Sequence, residues 1–291
     1  MRRLIVVVTV AAAAMAIVGC SDSDNGGPTS TTTATVVDRD VTATVPGRTI
    51  FGHCTGVATD APTVVLDVGM GNPRGELDSI GARFFERAQV CTYDRAGKGQ
   101  STPATTPRPV AEVINDLHVF LGAVAKPPYF LVGQSFGAEV VFRYTQAHPD
   151  QVAGFISMNP SPPYKTWVKR AATVQTPAEL REFELLWFRG ENEEGIDTRS
   201  DERMLTDPLP ADMPYAVLFD EECDNLPPPL QSQKDCTRMV MLLELTAKDL
   251  AKVGQGGRYV RVNGGGHRLY VAHLDDVMKS VEQVWSEAAA R

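Results

Sequence analysis

The sequence predicts an α/β domain with a mostly parallel central sheet flanked by helices. Three observations carry this. Short β-branched runs alternate with stretches of helical periodicity along most of the chain. Gly-rich turns follow the strand-like runs. A serine flanked by glycines, Gly133-Gln134-Ser135-Phe136-Gly137, stands between an apolar run and a helical one. Alternating strands and helices imply parallel pairing with right-handed crossovers. Sheets of this kind gather their sites at the carboxyl ends of the strands, where these glycine turns fall.

The elements follow in order. Residues 41–55 read as a hairpin or two strands, with Pro46-Gly47 at the turn. Thr63-Val64-Val65-Leu66-Asp67-Val68 is a β-branched run ending in Gly69-Met70-Gly71-Asn72. A helix pattern occupies roughly 77–87. The run 88–93 is the next strand and leads into Asp94-Arg95-Ala96-Gly97-Lys98-Gly99-Gln100-Ser101. Helical periodicity returns over 110–124, followed by the strand 128–132. The helix after Gly137 is stopped by His148-Pro149-Asp150, and 152–158 is another strand. Residues 161–213 interrupt the pattern with aromatics among many charges, and the strands 215–219 and 258–262 resume it. The final helix starts near Asp275.

The N-terminus has a different character. Arg2-Arg3 precede an uninterrupted apolar and small run, Leu4 to Val18, which is the pattern of a secretory signal and is too short for a comfortable membrane span. It ends Ile17-Val18-Gly19-Cys20, which resembles a bacterial lipobox. That resemblance implies a signal peptide over 1–19, diacylation of Cys20 and attachment to the outer face of the cell membrane. Residues 20–36 are then the lipidated cysteine and a polar tether, with a reach of roughly 20 Å. The folded domain is expected over 37–291, with room for a full core.

Five cysteines are present, and assigning Cys20 to lipid leaves Cys54, Cys91, Cys223 and Cys236, an even number suited to an oxidising compartment. There is no C-x-x-C pair and no His/Cys cluster with zinc spacing, so neither metal nor cofactor is expected. A formal net charge of −8 without a basic stripe argues against a nucleic-acid partner.

The chemistry centres on Ser135. A strand, a sharp turn and a helix with serine at the apex make a nucleophile elbow, with the flanking glycines leaving room for close backbone approach. With Val65-Leu66-Asp67-Val68-Gly69-Met70-Gly71, Tyr93-Asp94-Arg95-Ala96-Gly97-Lys98-Gly99-Gln100-Ser101 and Gly264-Gly265-Gly266-His267 in the same order, the chain resembles the α/β-hydrolase superfamily of esterases, lipases and peptidases. The resemblance covers nearly all of 41–291 apart from the central insert.

The resemblance implies a triad in the chain order Ser, acid, His. Ser135 is the expected nucleophile and His267, in a late glycine turn, the expected base. His273 is a weak rival, and His53, His118 and His148 are read as structural. The acid is expected several residues past the strand 215–219, which favours Asp224, with Glu222 and Asp220 as alternatives. Asn159 stands where some relatives carry the acid one strand earlier. The backbone amides of Met70 and Phe136 are the expected oxyanion donors. Asp94 and Arg95 are read as a structural pair. The insert 161–213 is expected to form a helical cap. The family's strand order implies the disulfide Cys54–Cys91, and Cys223 and Cys236, close in sequence, are expected to form the second. The expected substrate is a small-molecule ester or other acyl compound. An aminopeptidase would need an acidic anchor such as Glu191, Glu193 or Glu194, and a binding lipoprotein on the same fold would lack turnover.

Overall fold

A computed structural model describes residues 35–200, 203–223 and 233–291. The proposed signal, Cys20 and Asp224 lie outside the described residues. Eight strands form one sheet: β1 (Thr35–Val45), β2 (Arg48–Ala58), β3 (Thr63–Asp67), β4 (Gln89–Tyr93), β5 (Tyr129–Gln134), β6 (Val152–Met158), β7 (Tyr215–Phe219) and β8 (Gly257–Arg261). Their order is β1-β2-β4-β3-β5-β6-β7-β8. Only the β1–β2 and β2–β4 pairings are antiparallel; all others are parallel. The expected hairpin is longer than the 41–55 pattern: β1 begins at Thr35, two residues before the anticipated domain edge.

The central parallel strands β3, β5, β6 and β7 bury both faces, so their sequences are largely apolar runs, whereas the edge strand β8 is only half-buried. Val64 and Leu66 enter one core while Val65 enters the other, and Phe130 and Val132 lie opposite Leu131. On one side, helices α2 (Val110–Val124) and α3 (Phe136–Ala147) supply Val113, Leu117, Phe120 and Val140. On the other, α8 (Leu274–Ala289) supplies Val277, Val281, Val284 and Trp285. Each such side chain contributes about 1.5–3 kcal/mol by leaving water.

The helix anticipated over 77–87 is mostly a different structure. A 3₁₀ turn, Arg74–Leu77, runs into the single α-helical turn α1 (Asp78–Gly81). Tight turns follow, with Phe84 N–H donating to Gly81 and Arg87 N–H to Phe84. At Gly81 an added Cβ would lie 3.0 Å from Leu66 and 3.2 Å from Val90, so the chain hugs the sheet there. Glycine also weakens continuation of a helix.

Between β6 and β7 the insert forms α4 (Tyr164–Ala171) and α5 (Pro177–Trp187). Thr176 caps α5, its hydroxyl accepting from Glu179 N–H while Glu179 accepts from Thr176 N–H. Trp167 and Phe188 join Cys236 and Met239 of α6 (Gln233–Leu250) in a small separate core. Both expected disulfides are present. Cys54 and Cys91 face each other across β2 and β4, and Cys223–Cys236 ties the chain after β7 to α6. The one-turn helix α7 (Leu269–Ala272) lies between β8 and α8.

Candidate active site

Ser135 sits between β5 and α3 with φ 55° and ψ −119°, a left-handed conformation that is costly for a residue with a Cβ. Packing enforces it. A Cβ on Gly133 would lie 2.3 Å from the Gly137 carbonyl oxygen, and one on Gly137 would lie 2.1 Å from that of Asp67. Both positions therefore require glycine, and together they press the α3 start against β3 and β5. Ser135 is 9% exposed. Its N–H donates to the Met158 carbonyl, holding the turn to the neighbouring strand at 2.8 Å.

His267 lies after β8 in the 3₁₀ turn Gly266–Arg268. Its Nδ1 is 2.5 Å from Oε1 of Glu221, which is 6% exposed. Burial draws the imidazole pKa down, but the Glu221 hydrogen bond and charge outweigh it and hold it above the ordinary value. The carboxylate on the histidine is thus Glu221, a residue outside the three considered from the sequence. It follows β7 by two residues, nearer the strand end than the family spacing suggested.

The two sequence alternatives that the structure describes are occupied otherwise. Asp220 Oδ2 accepts from the N–H groups of Gly265 and Gly266 at 2.6 and 2.9 Å, and its Oδ1 pairs with Arg261 at 3.0 Å. Asp220 therefore shapes the histidine turn and does not contact the imidazole. Glu222 points to solvent. The register slip arises because Asp220 is drawn inward by the glycine turn, which leaves Glu221 to face His267.

Two further residues assemble the site. Asn159, at φ 45°, donates from Nδ2 to the carbonyls of Asp220, Gly266 and His267 at 2.8, 3.1 and 3.1 Å. Its Oδ1 accepts from Asp220 N–H at 2.8 Å. Gln134 Nε2 donates to the His267 carbonyl at 3.2 Å, tying the histidine turn to the residue before Ser135. The sequence singles out Asn159 only as the residue standing where some relatives carry the acid; its bracing of both loops is not legible there.

The turn after β3 approaches the elbow. A Cβ on Gly69 would lie 3.3 Å from the Ser135 Cβ, so the Met70 peptide is a close neighbour of the serine. Among the described residues neither the Met70 N–H nor the Phe136 N–H has a protein acceptor. The other histidines have partners elsewhere. His53 bonds Asp40 at 2.9 Å, and His118 stacks on His148 with ring centres 4.3 Å apart. His273 heads α8, 3.8 Å from Asp276. Asp94 and Arg95 do not pair with each other: Asp94 takes Arg74 at 2.8 Å, and Arg95 takes Asp67 and Glu194 at 2.5 and 2.7 Å. A cavity of about 740 Å³ is lined by His53, Gly71, Arg74, Asp78 and Asp94, and neither Ser135 nor His267 lines it.

Residues 69–189 match the alpha/beta hydrolase fold family. Over 113 residues the chain is 28% identical to a proline iminopeptidase of Arabidopsis thaliana, covering 38% of this chain and 29% of that protein. It spans well under half the length of the curated relatives it matches, 29% and 40%. The crystal structure of the proline iminopeptidase of Mycobacterium smegmatis superposes with a TM-score of 0.60 at 13% identity, over 87% of this chain and 99% of that one. The enol-lactonase of Burkholderia xenovorans LB400 superposes with a TM-score of 0.58 at 16% identity, over 84% and 99%. The strand order, the serine elbow and these likenesses agree: the chain has the α/β-hydrolase fold.

Proposed function

We propose that the protein is a serine hydrolase that cleaves carboxylic esters through an acyl-enzyme. The observation that carries this reading is the Glu221–His267 pair, 2.5 Å apart and tied through Gln134 to a strained Ser135. In this mechanism Ser135 Oγ attacks the ester carbonyl as His267 Nε2 takes its proton. Glu221 holds the proton on Nδ1 and stabilises the imidazolium. The N–H groups of Met70 and Phe136 stabilise the oxyanion. Collapse expels the alcohol, which receives the proton from His267. Water, activated by the same imidazole, then releases the acid and regenerates Ser135. In this reading the insert 161–213 is a cap over the acyl pocket.

Cleavage of short peptides from their amino end is the second reading, favoured by the likeness to proline iminopeptidases. It needs a free carboxylate for the substrate ammonium. Glu194 is committed to Arg95 and to Gly71 N–H, so that role would fall to Glu191 or Glu193, both exposed. A panel of short-chain esters against aminoacyl amides separates the two. We expect ester turnover to dominate by at least tenfold in kcat/KM; a preference for the amides would replace the first reading with the second. No labelling by a fluorophosphonate probe and no turnover of either class would leave a binding lipoprotein.

We also propose that Cys20 carries lipid and holds the domain at the outer face of a bacterial cell membrane, by the Ile17-Val18-Gly19-Cys20 motif. Acyl chains contribute about 0.8 kcal/mol per buried CH₂, so two or three anchor stably. Cys20→Ala is expected to move the protein from the detergent phase to the aqueous phase in phase partitioning. An unchanged distribution rejects the lipobox.

A further inference from the structure

Arg95 occupies an unusual position. Its guanidinium is buried, and all five of its N–H donors are used. Nε donates to Glu194 Oε2 at 2.8 Å. Nη1 donates to Asp67 Oδ1 at 2.5 Å and to the Val68 carbonyl at 2.7 Å. Nη2 donates to the Gly69 carbonyl and to Glu194 Oε1, both at 2.7 Å. Glu194 Oε1 in turn accepts from Gly71 N–H at 2.7 Å.

These bonds bracket one residue, Met70. The Gly69 carbonyl and the Met70 N–H belong to the same planar trans peptide, so they point in opposite directions. Drawing the Gly69 oxygen onto Arg95 turns the Met70 N–H away from the guanidinium. The next peptide is held by its own N–H on Glu194, so the Met70 backbone is pinned from both sides. The guanidinium carbon also lies 5.3 Å from the centre of the Phe136 ring, so the same cation packs against the residue bearing the other donor.

We propose that Arg95 and Glu194 are positioning residues for the oxyanion hole, and that the insert completes that hole by supplying Glu194. This rests on the serine-hydrolase reading above. Arg95 aims the Met70 N–H and, by donating to the carbonyl of the same peptide, makes that N–H a stronger donor. Glu194 belongs to the segment between β6 and β7, so the turn after β3 takes its shape only when the insert is docked. Neither side chain touches substrate. The charge balance fits this role: Arg95 and the Gly71 N–H hold the Glu194 carboxyl below its ordinary range despite burial.

The test compares wild type with Arg95→Lys, Arg95→Met and Glu194→Gln in steady-state ester hydrolysis and in binding of a phenylboronate, which forms a tetrahedral adduct on serine. Loss of one oxyanion donor costs about 10²–10³-fold in kcat. Arg95→Met is expected to approach that loss with KM little changed, and boronate affinity is expected to fall in parallel. Glu194→Gln should give a smaller fall of the same kind, and Arg95→Lys should retain part of the activity. Because Arg95→Met strands two buried carboxylates, the neutral set Arg95→Met/Asp67→Asn/Glu194→Gln provides a variant without an unpaired buried charge. A folded neutral set with wild-type kcat and boronate affinity overturns the proposal, as does a loss confined to KM. Ser135→Ala serves as the control. If it keeps full turnover, the serine-hydrolase reading itself has failed; if it is dead while the Arg95 variants are normal, only the positioning role has.

Discussion

Ser135→Ala is expected to abolish fluorophosphonate labelling and to lower ester kcat by roughly 10⁵–10⁶-fold, the scale seen when a triad nucleophile is removed. The fold should survive. Among the described residues the Ser135 hydroxyl makes no hydrogen bond, and alanine keeps both the Cβ and the φ preference of the site, so the strain at φ 55° is unchanged. Melting temperature should therefore stay within about a degree or two of wild type, since ΔΔG near zero leaves Tm in place. Residual turnover above water would come from binding and the oxyanion donors alone. A folded Ser135→Ala protein that still hydrolyses esters at the wild-type rate would sink the assignment.

Glu221→Gln has the second largest expected effect. Replacing a triad carboxylate by its amide costs about 10⁴-fold in kcat, because the amide no longer selects the tautomer or stabilises the imidazolium. The pH profile should move as well. On the proposed mechanism His267 acts as base only when neutral, so activity should be lost as pH falls through its pKa. Glu221 holds that pKa above the ordinary imidazole value, so the acid limb of wild-type kcat/KM should lie above about pH 6.5. In Glu221→Gln the partner that raises it is gone while the burial that lowers it remains, so the limb should shift to lower pH. Asp224→Asn and Glu222→Gln should have small effects by comparison. Asp220→Asn should behave differently again: loss of the ion pair to Arg261 and of a charged acceptor for Gly265 and Gly266 should lower stability along with rate. If Asp224→Asn is the damaging change and Glu221→Gln is near normal, Glu221 is not the triad acid.

The sequence by itself determined what local patterns can determine. The strand runs were legible, most clearly the parallel strands buried on both faces, which must be largely apolar, as in 129–134 and 152–158. Of the helices, those over 110–124, after Gly137 and near Asp275 were legible, whereas 77–87 holds only a single α-helical turn and 233–250 was not legible. The serine elbow was legible as a local glycine-serine-glycine pattern between a strand and a helix; the contact of Gly133 with Gly137 lies inside that unit, whereas Gly137 is also demanded by Asp67 on β3. His267 was singled out by the resemblance, which points to the glycine turn after the last strand. The Cys54–Cys91 disulfide was legible once a strand order was supplied by resemblance, and Cys223–Cys236 from the closeness of the two cysteines in sequence.

Only the tertiary structure decided which carboxylate meets His267. Asp220, Glu221 and Glu222 are adjacent and chemically alike, and the choice depends on which way one residue turns. That is settled by the N–H groups of Gly265 and Gly266 drawing in Asp220 and by Asn159 bracketing both loops, contacts spanning from about 45 to about 108 positions in sequence. The partners of Arg95 were hidden for the same reason. Its neighbour Asp94 is the obvious mate on paper, yet the two side chains leave the loop after β4 towards different partners. Arg95 reaches Asp67 on β3 and Glu194 in the insert, while Asp94 reaches Arg74. Periodicity and turn chemistry act over a few residues, so they specify elements. Pairings between loops depend on the sheet that brings those loops together, and no local pattern encodes them.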